Sequence, residues 1–173
     1  ELFEKDERYR NFHLDGQTIV LDDYLEIRPE NREKLKKYVQ EGRFHVGPWY
    51  ILQDEFLTSG EAAIRNLLTG MREAKEFGGL CPVGYFPDAF GNAGQMPQLL
   101  KQAGMKAVAF GRGVKPVGFN NEAKEGGAYE STYSEMNWES MDGSGLLGIL
   151  FANWYNNGAE IPVEPEEAKE YWD

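Results

Sequence analysis

Apolar residues along the chain follow two rhythms, short unbroken runs that suit strands and a spacing of three to four that suits helices. Gln17-Thr18-Ile19-Val20-Leu21 reads as a strand. Pro29 suits the first turn of a helix whose apolar stripe is Leu35, Tyr38 and Val39 and which Gly42 stops. Phe44-His45-Val46-Gly47-Pro48-Trp49 reads as a second strand that breaks at Gly-Pro, with a loop over 50–57 behind it. Thr58 followed three residues later by Glu61 predicts a capping box, and Ile64, Leu67, Leu68 and Met71 carry that helix toward Gly78-Gly79. Pro82 to Phe86 reads as a third strand, followed by the turn-rich Pro87-Asp88-Ala89-Phe90-Gly91-Asn92 and a short helix from about Met96 to Gln102. Gly104 closes that helix and Lys106 to Phe110 supplies a fourth strand.

The connections between these strands are too long for hairpins. They imply parallel strands joined by right-handed crossovers, an α/β class. Beyond Gly113 the rhythm changes. Residues 114–137 read as a long excursion from the core, Trp138-Glu139-Ser140 and Leu146 to Phe151 as strands around the turn Asp142-Gly143-Ser144-Gly145, and Glu164 to Asp173 as an acidic helix beginning at Pro165. Nothing marks an internal boundary, so residues 1–173 read as one unit.

Composition narrows the function classes. The chain has 173 residues, fewer than the roughly 250 of a complete (β/α)-barrel, so it reads as one ordinary domain or a piece of a barrel. Its 29 acidic against 18 basic residues give a net charge of −11, which argues against a nucleic-acid or anionic-membrane partner. Cys81 is the lone cysteine and cannot form an internal disulfide, and no apolar run approaches the roughly 18 residues of a membrane span. The start Glu1-Leu2-Phe3-Glu4 carries no signal-like stretch. Two histidines and one cysteine cannot make an all-His/Cys zinc site, so any metal needs carboxylates or ligands from elsewhere.

In parallel α/β folds, ligands gather beyond the carboxyl ends of the strands. After the second strand come Trp49, Gln53, Asp54 and Glu55, after the third Asp88, and after the fourth Arg112 between two glycines. Carboxylates, an aromatic floor and a guanidinium at one edge suit a small polyhydroxylated ligand. Two carboxylates on neighbouring strand ends are also what glycoside hydrolysis uses. Taken singly, Asp54 reads as a loop residue before the Thr58 cap, Asp88 as an Asx-turn residue, Trp49 as core packing or sugar platform, and Arg112 as a surface ion pair. Their common place carries the functional reading. His13 and His45 read as structural.

These segments also carry a family resemblance. Asp15-Gly16-Gln17-Thr18, Glu41-Gly42-Arg43, Gly47-Pro48-Trp49-Tyr50, Gln53-Asp54-Glu55, Pro87-Asp88-Ala89-Phe90-Gly91 and Gln95-Met96-Pro97 together resemble the N-terminal catalytic domain of glycoside hydrolase family 38 α-mannosidases, bacterial members above all. The resemblance implies the central portion of a (β/α)7-type barrel, incomplete in this chain, from a cytoplasmic bacterial enzyme. It implies a retaining α-mannosidase with a divalent metal, usually zinc. Asp54 would be both nucleophile and metal ligand, and Asp88 would line the sugar pocket beside Trp49 and Arg112. The other metal ligands would lie outside this chain: His13-Leu14-Asp15 has the spelling of the family's early ligand pair but precedes the second-strand-like run and lacks the acidic-aromatic continuation expected of it, and we read it as coincidence. The acid/base is expected near Asn153-Trp154-Tyr155-Asn156-Asn157, which has no carboxylate, and the nearest candidates are Asp142 and Glu160. The 173 residues alone are expected to be inactive. A non-catalytic carbohydrate-binding domain derived from such an enzyme is the alternative, and a sugar-processing or deacetylase-like hydrolase on a related barrel a third.

Overall fold

In the computed structural model, residues 2–111, 134–151 and 159–172 are described. The elements are α1 (Leu2–Lys5), β1 (Phe12–His13), α2 (Ile19–Ile27), a 3-10 turn over Pro29–Asn31, α3 (Arg32–Gln40), β2 (Phe44–His45), α4 (Gly60–Glu76), β3 (Val83–Phe86), α5 (Met96–Gln102), β4 (Ala107–Phe110), β5 (Glu135–Glu139), β6 (Gly145–Leu150) and α6 (Pro165–Trp172). The architecture is mixed α/β. β1 and β2 pair in parallel, and a second sheet runs β3-β4-β6-β5 with β3, β4 and β6 parallel and β5 antiparallel at its edge.

The first predicted strand is corrected. Ile19, Val20 and Leu21 begin helix α2, and the first strand is β1, five residues upstream of the predicted one. A run of five residues is too short for its period to separate strand from helix. Thr18 decides the outcome: it is fully buried, its backbone N–H donates to Trp49 O, and its hydroxyl donates to Glu73 of α4. Only Gln17 of the predicted strand pairs, through a single parallel bridge to Trp49. The second predicted strand is also shorter, with a ladder limited to Phe44 and His45.

α4 forms where the apolar spacing places it, but Ser59 rather than Thr58 caps it. Ser59 is the last extended residue (φ −75°, ψ 154°), and its hydroxyl accepts the Ala62 N–H at 3.2 Å. The Thr58 hydroxyl turns back to Asp54 O at 3.4 Å, and Glu61 pairs instead with Arg65 one turn on. β5 starts at Glu135, so its first three residues fall within the predicted excursion; Met136 and Trp138 alternate inward between exposed polar neighbours.

Two apolar clusters hold these elements. One joins Leu67 of α4, Phe86 of β3, Leu100 of α5, Val108 and Phe110 of β4 and Leu150 of β6. The other joins Leu21, Tyr38, Val39, Phe44 and Val46 to Ala74 and Phe77 at the end of α4. α4 therefore bridges both. Gly70 lets it do so: a Cβ there would stand 2.1 Å from Trp49 C and 2.4 Å from Pro48 O, so only glycine allows the helix to lie on the 48–49 backbone. No described helix is long and apolar enough to cross a membrane.

Candidate active site

The segments that leave β1, β2 and β3 at their carboxyl ends converge on a cavity of about 430 Å³ lined by Asp15, Trp49, Gln53, Asp54, Tyr85 and Asp88 among others. The loop behind β2 is held on two sides. From α4, Asn66 Nδ2 donates to Ile51 O at 2.8 Å while its Oδ1 accepts the Ile51 N–H at 2.9 Å, so one amide replaces a ladder rung. From the segment after β1, Gln17 Oε1 accepts the Leu52 N–H at 3.1 Å and its Nε2 donates to Asp15 at 3.2 Å.

With the loop so fixed, Asp54 Oδ1 accepts the Phe90 N–H at 2.9 Å across from the β3 segment. That bond orients the carboxylate at the cavity wall. Asp88 follows β3 and lines the same cavity. Trp49 lies beneath, 1% exposed, in van der Waals range of Phe86 and donating its indole N–H to Tyr85 O at 3.1 Å; it forms the cavity's wall from within the core. Arg112 and the 153–157 segment lie outside the described residues.

Asp15, Tyr85 and Asn66 join the site beyond the residues given a place in it from sequence, and Glu55, already named there, proves buried. Asp15, after β1, brings a third carboxylate to the cavity. Its backbone is left-handed (φ 42°), and it shares a hydrogen bond with the Tyr85 hydroxyl. Burial, then the charge of Asp15, pushes that hydroxyl up to about 12, so it stays a donor. His13 ends β1 and packs its ring 4.9 Å from that of Tyr85; burial first, then nearby His45, lowers its pKa. β1 ends at His13, so Asp15 of the His13-Leu14-Asp15 element stands just past a strand, while no described group of three or more His, Cys, Asp or Glu is placed to hold a metal there. Glu55 is buried and accepts the Ala93 N–H through Oε2, and burial raises its pKa to about 7. Asn66 carried no signal, being one amide in an amphipathic helix.

Asp142 and Glu160 lie elsewhere. Asp142 sits in the β5–β6 turn, at the amino end of β6, where Ser144 donates to it from both N–H and hydroxyl and lowers its pKa. Glu160 is an exposed turn residue with φ 59° before α6. Neither is brought to the cavity that Asp54 lines.

Among the described lining residues are three carboxylates and no Lys, Arg or His. Such a wall suits the hydroxyl donors of a sugar or a cation and disfavours an anion. The described residues contain no group of three or more His, Cys, Asp or Glu placed to hold a metal ion. They do not make a complete zinc site by themselves.

Comparison with known proteins matches residues 1–172 to the family described as "Glycosyl hydrolases family 38 N-terminal domain". A protein of Halalkalibacterium halodurans named "Putative mannosylglycerate hydrolase" is 56% identical over 173 residues, 99% of this chain and 19% of that protein. Alpha-mannosidase G of Dictyostelium discoideum is 33% identical over 136 residues, 77% of this chain and 12% of its own length. The crystal structure of an alpha-mannosidase from Enterococcus faecalis V583 superposes with a TM-score of 0.86 at 51% identity, covering 99% of this chain and 18% of that one. The chain thus spans about a fifth of the length of the two bacterial relatives it matches.

Proposed function

The chain belongs to glycosyl hydrolase family 38, whose N-terminal domain its residues 1–172 match, and from that premise we propose that it forms one wall of the sugar site of a retaining α-mannosidase. The observation that carries this reading is Asp54, held by the Phe90 N–H at the carboxyl edge of the strands beside a cavity that Asp88 also lines. In a retaining reaction Asp54 Oδ2 attacks the anomeric carbon as the bond to the leaving oxygen breaks, giving a mannosyl ester on Asp54. A second carboxylic acid gives the leaving oxygen its proton and then removes one from the water that cleaves the ester. Asp88 and Asp15 accept hydroxyl bonds that hold the ring in place.

We further propose a barrel for the complete polypeptide, a bacterial cytoplasmic location, and zinc with Asp54 as one of its ligands, the others coming from outside the described residues. When bound, the metal supplies Lewis-acid polarisation of sugar hydroxyls and a fixed orientation for the nucleophile. The relatives' names support a mannoside as substrate.

Replacing Asp54 by Asn in the full-length polypeptide keeps the Phe90 contact and removes the nucleophile. Hydrolysis of an aryl α-mannoside should fall by at least about 10³-fold, with an unchanged melting temperature. Activity close to wild type in that variant would refute the assignment.

A further inference from the structure

Consecutive residues 54, 55 and 56 each meet a different point of the segment that follows β3. Asp54 Oδ1 takes the Phe90 N–H at 2.9 Å, Glu55 Oε2 takes the Ala93 N–H, and the Phe56 ring packs on Gly91, where a Cβ would come within 2.6 Å of it. Residues 87–93 have no helix or strand of their own, so side chains from outside must hold them. They carry Asp88.

Glu55 is the unusual member. Only 8% of it is exposed, and its Oε1 is buried without a hydrogen-bond partner among the described residues. Burying a carboxyl with one oxygen unpartnered costs more than an apolar side chain would there, so packing does not account for it.

We propose that Glu55 is a positioning residue: it fixes the Ala93 end of the segment whose Phe90 end fixes Asp54, and so sets the placing of Asp54 and Asp88 relative to each other. The inference rests on the reading of Asp54 as nucleophile. Without the Glu55 anchor, the segment is free to shift at Ala93, and the Phe90 N–H moves the attacking carboxylate with it. The substrate still enters the cavity. What is lost is alignment at the moment of attack.

The test uses the full-length polypeptide and an aryl α-mannoside, with kcat expressed per folded molecule. Glu55→Asp keeps the charge but is one methylene too short to reach Ala93, and Glu55→Ala removes the acceptor altogether. Both should lower kcat by about 100-fold, the scale of a 1 Å misplacement, while KM moves less than about threefold. Glu55→Gln keeps an acceptor oxygen for the Ala93 N–H and should restore kcat to within about fivefold of wild type. If Glu55→Ala does not fold, the Asp and Gln variants carry the comparison. Unchanged kcat in Glu55→Asp, or a Gln variant as impaired as Asp, would overturn the proposal. An inactive wild type or a fully active Asp54→Asn would instead remove the reading beneath it.

Discussion

Asp54 and Glu55 are neighbours in sequence and meet opposite environments. Asp54 is half-buried and lines the cavity wall; Glu55 turns inward, where burial holds its carboxyl up to about 7. One step along a loop thus separates a carboxylate at the cavity from one held in the core. His13 shows the converse case, a base that burial keeps neutral, with nearby His45 lowering its pKa further and Asp15 opposing. Its folded pKa lies below the usual 6.5, so between the two values the unfolded chain binds more protons. Stability is therefore lost as pH falls through 6.5 toward the folded value. The urea midpoint should drop between pH 7 and pH 5, and His13→Gln should lose less over that interval. An equal decline in both proteins would show that His13 does not titrate in this way.

At the scale of elements, α4 organises the site by lying against the 48–49 backbone and sending Asn66 to the Ile51 peptide. Gly70→Ala places a methyl inside the van der Waals envelope of that backbone. It should destabilise the protein by about 3 kcal/mol, read as a lower denaturation midpoint, and an unaltered midpoint would mean that the helix can move away. α4 was legible because its apolar stripe repeats over several turns, and α5, β3, β4 and β6 because short apolar stretches are bounded by turn residues. The 17–21 run was not, because its fate depends on Thr18 bonding to Glu73, a contact 55 residues away in sequence. Asp88 could be picked out because it stands just past β3 and Asp54 because it lies in the loop that follows β2, whereas Glu55 and Asn66 act through bonds to backbone groups that only the folded chain brings near.

At the scale of the molecule, three carboxylates at the ends of successive strand segments face one cavity, while the acidic turn of Asp142 lies at the amino end of β6. The net charge of −11 thus has one local concentration at a cavity, beside much solvated surface. Because the chain spans about a fifth of its bacterial relatives, this wall is read as one side of a larger site, completed by the proton donor and further ligands. The central claim is that Asp54 carries the mannosyl group. The most direct measurement is to trap the full-length polypeptide with a slow fluorinated mannosyl substrate, digest it, and locate the added mass. The label should appear on Asp54 and be absent from Asp54→Asn. A label on Asp15, Asp88 or any other carboxylate, with Asp54 unmodified, would contradict it.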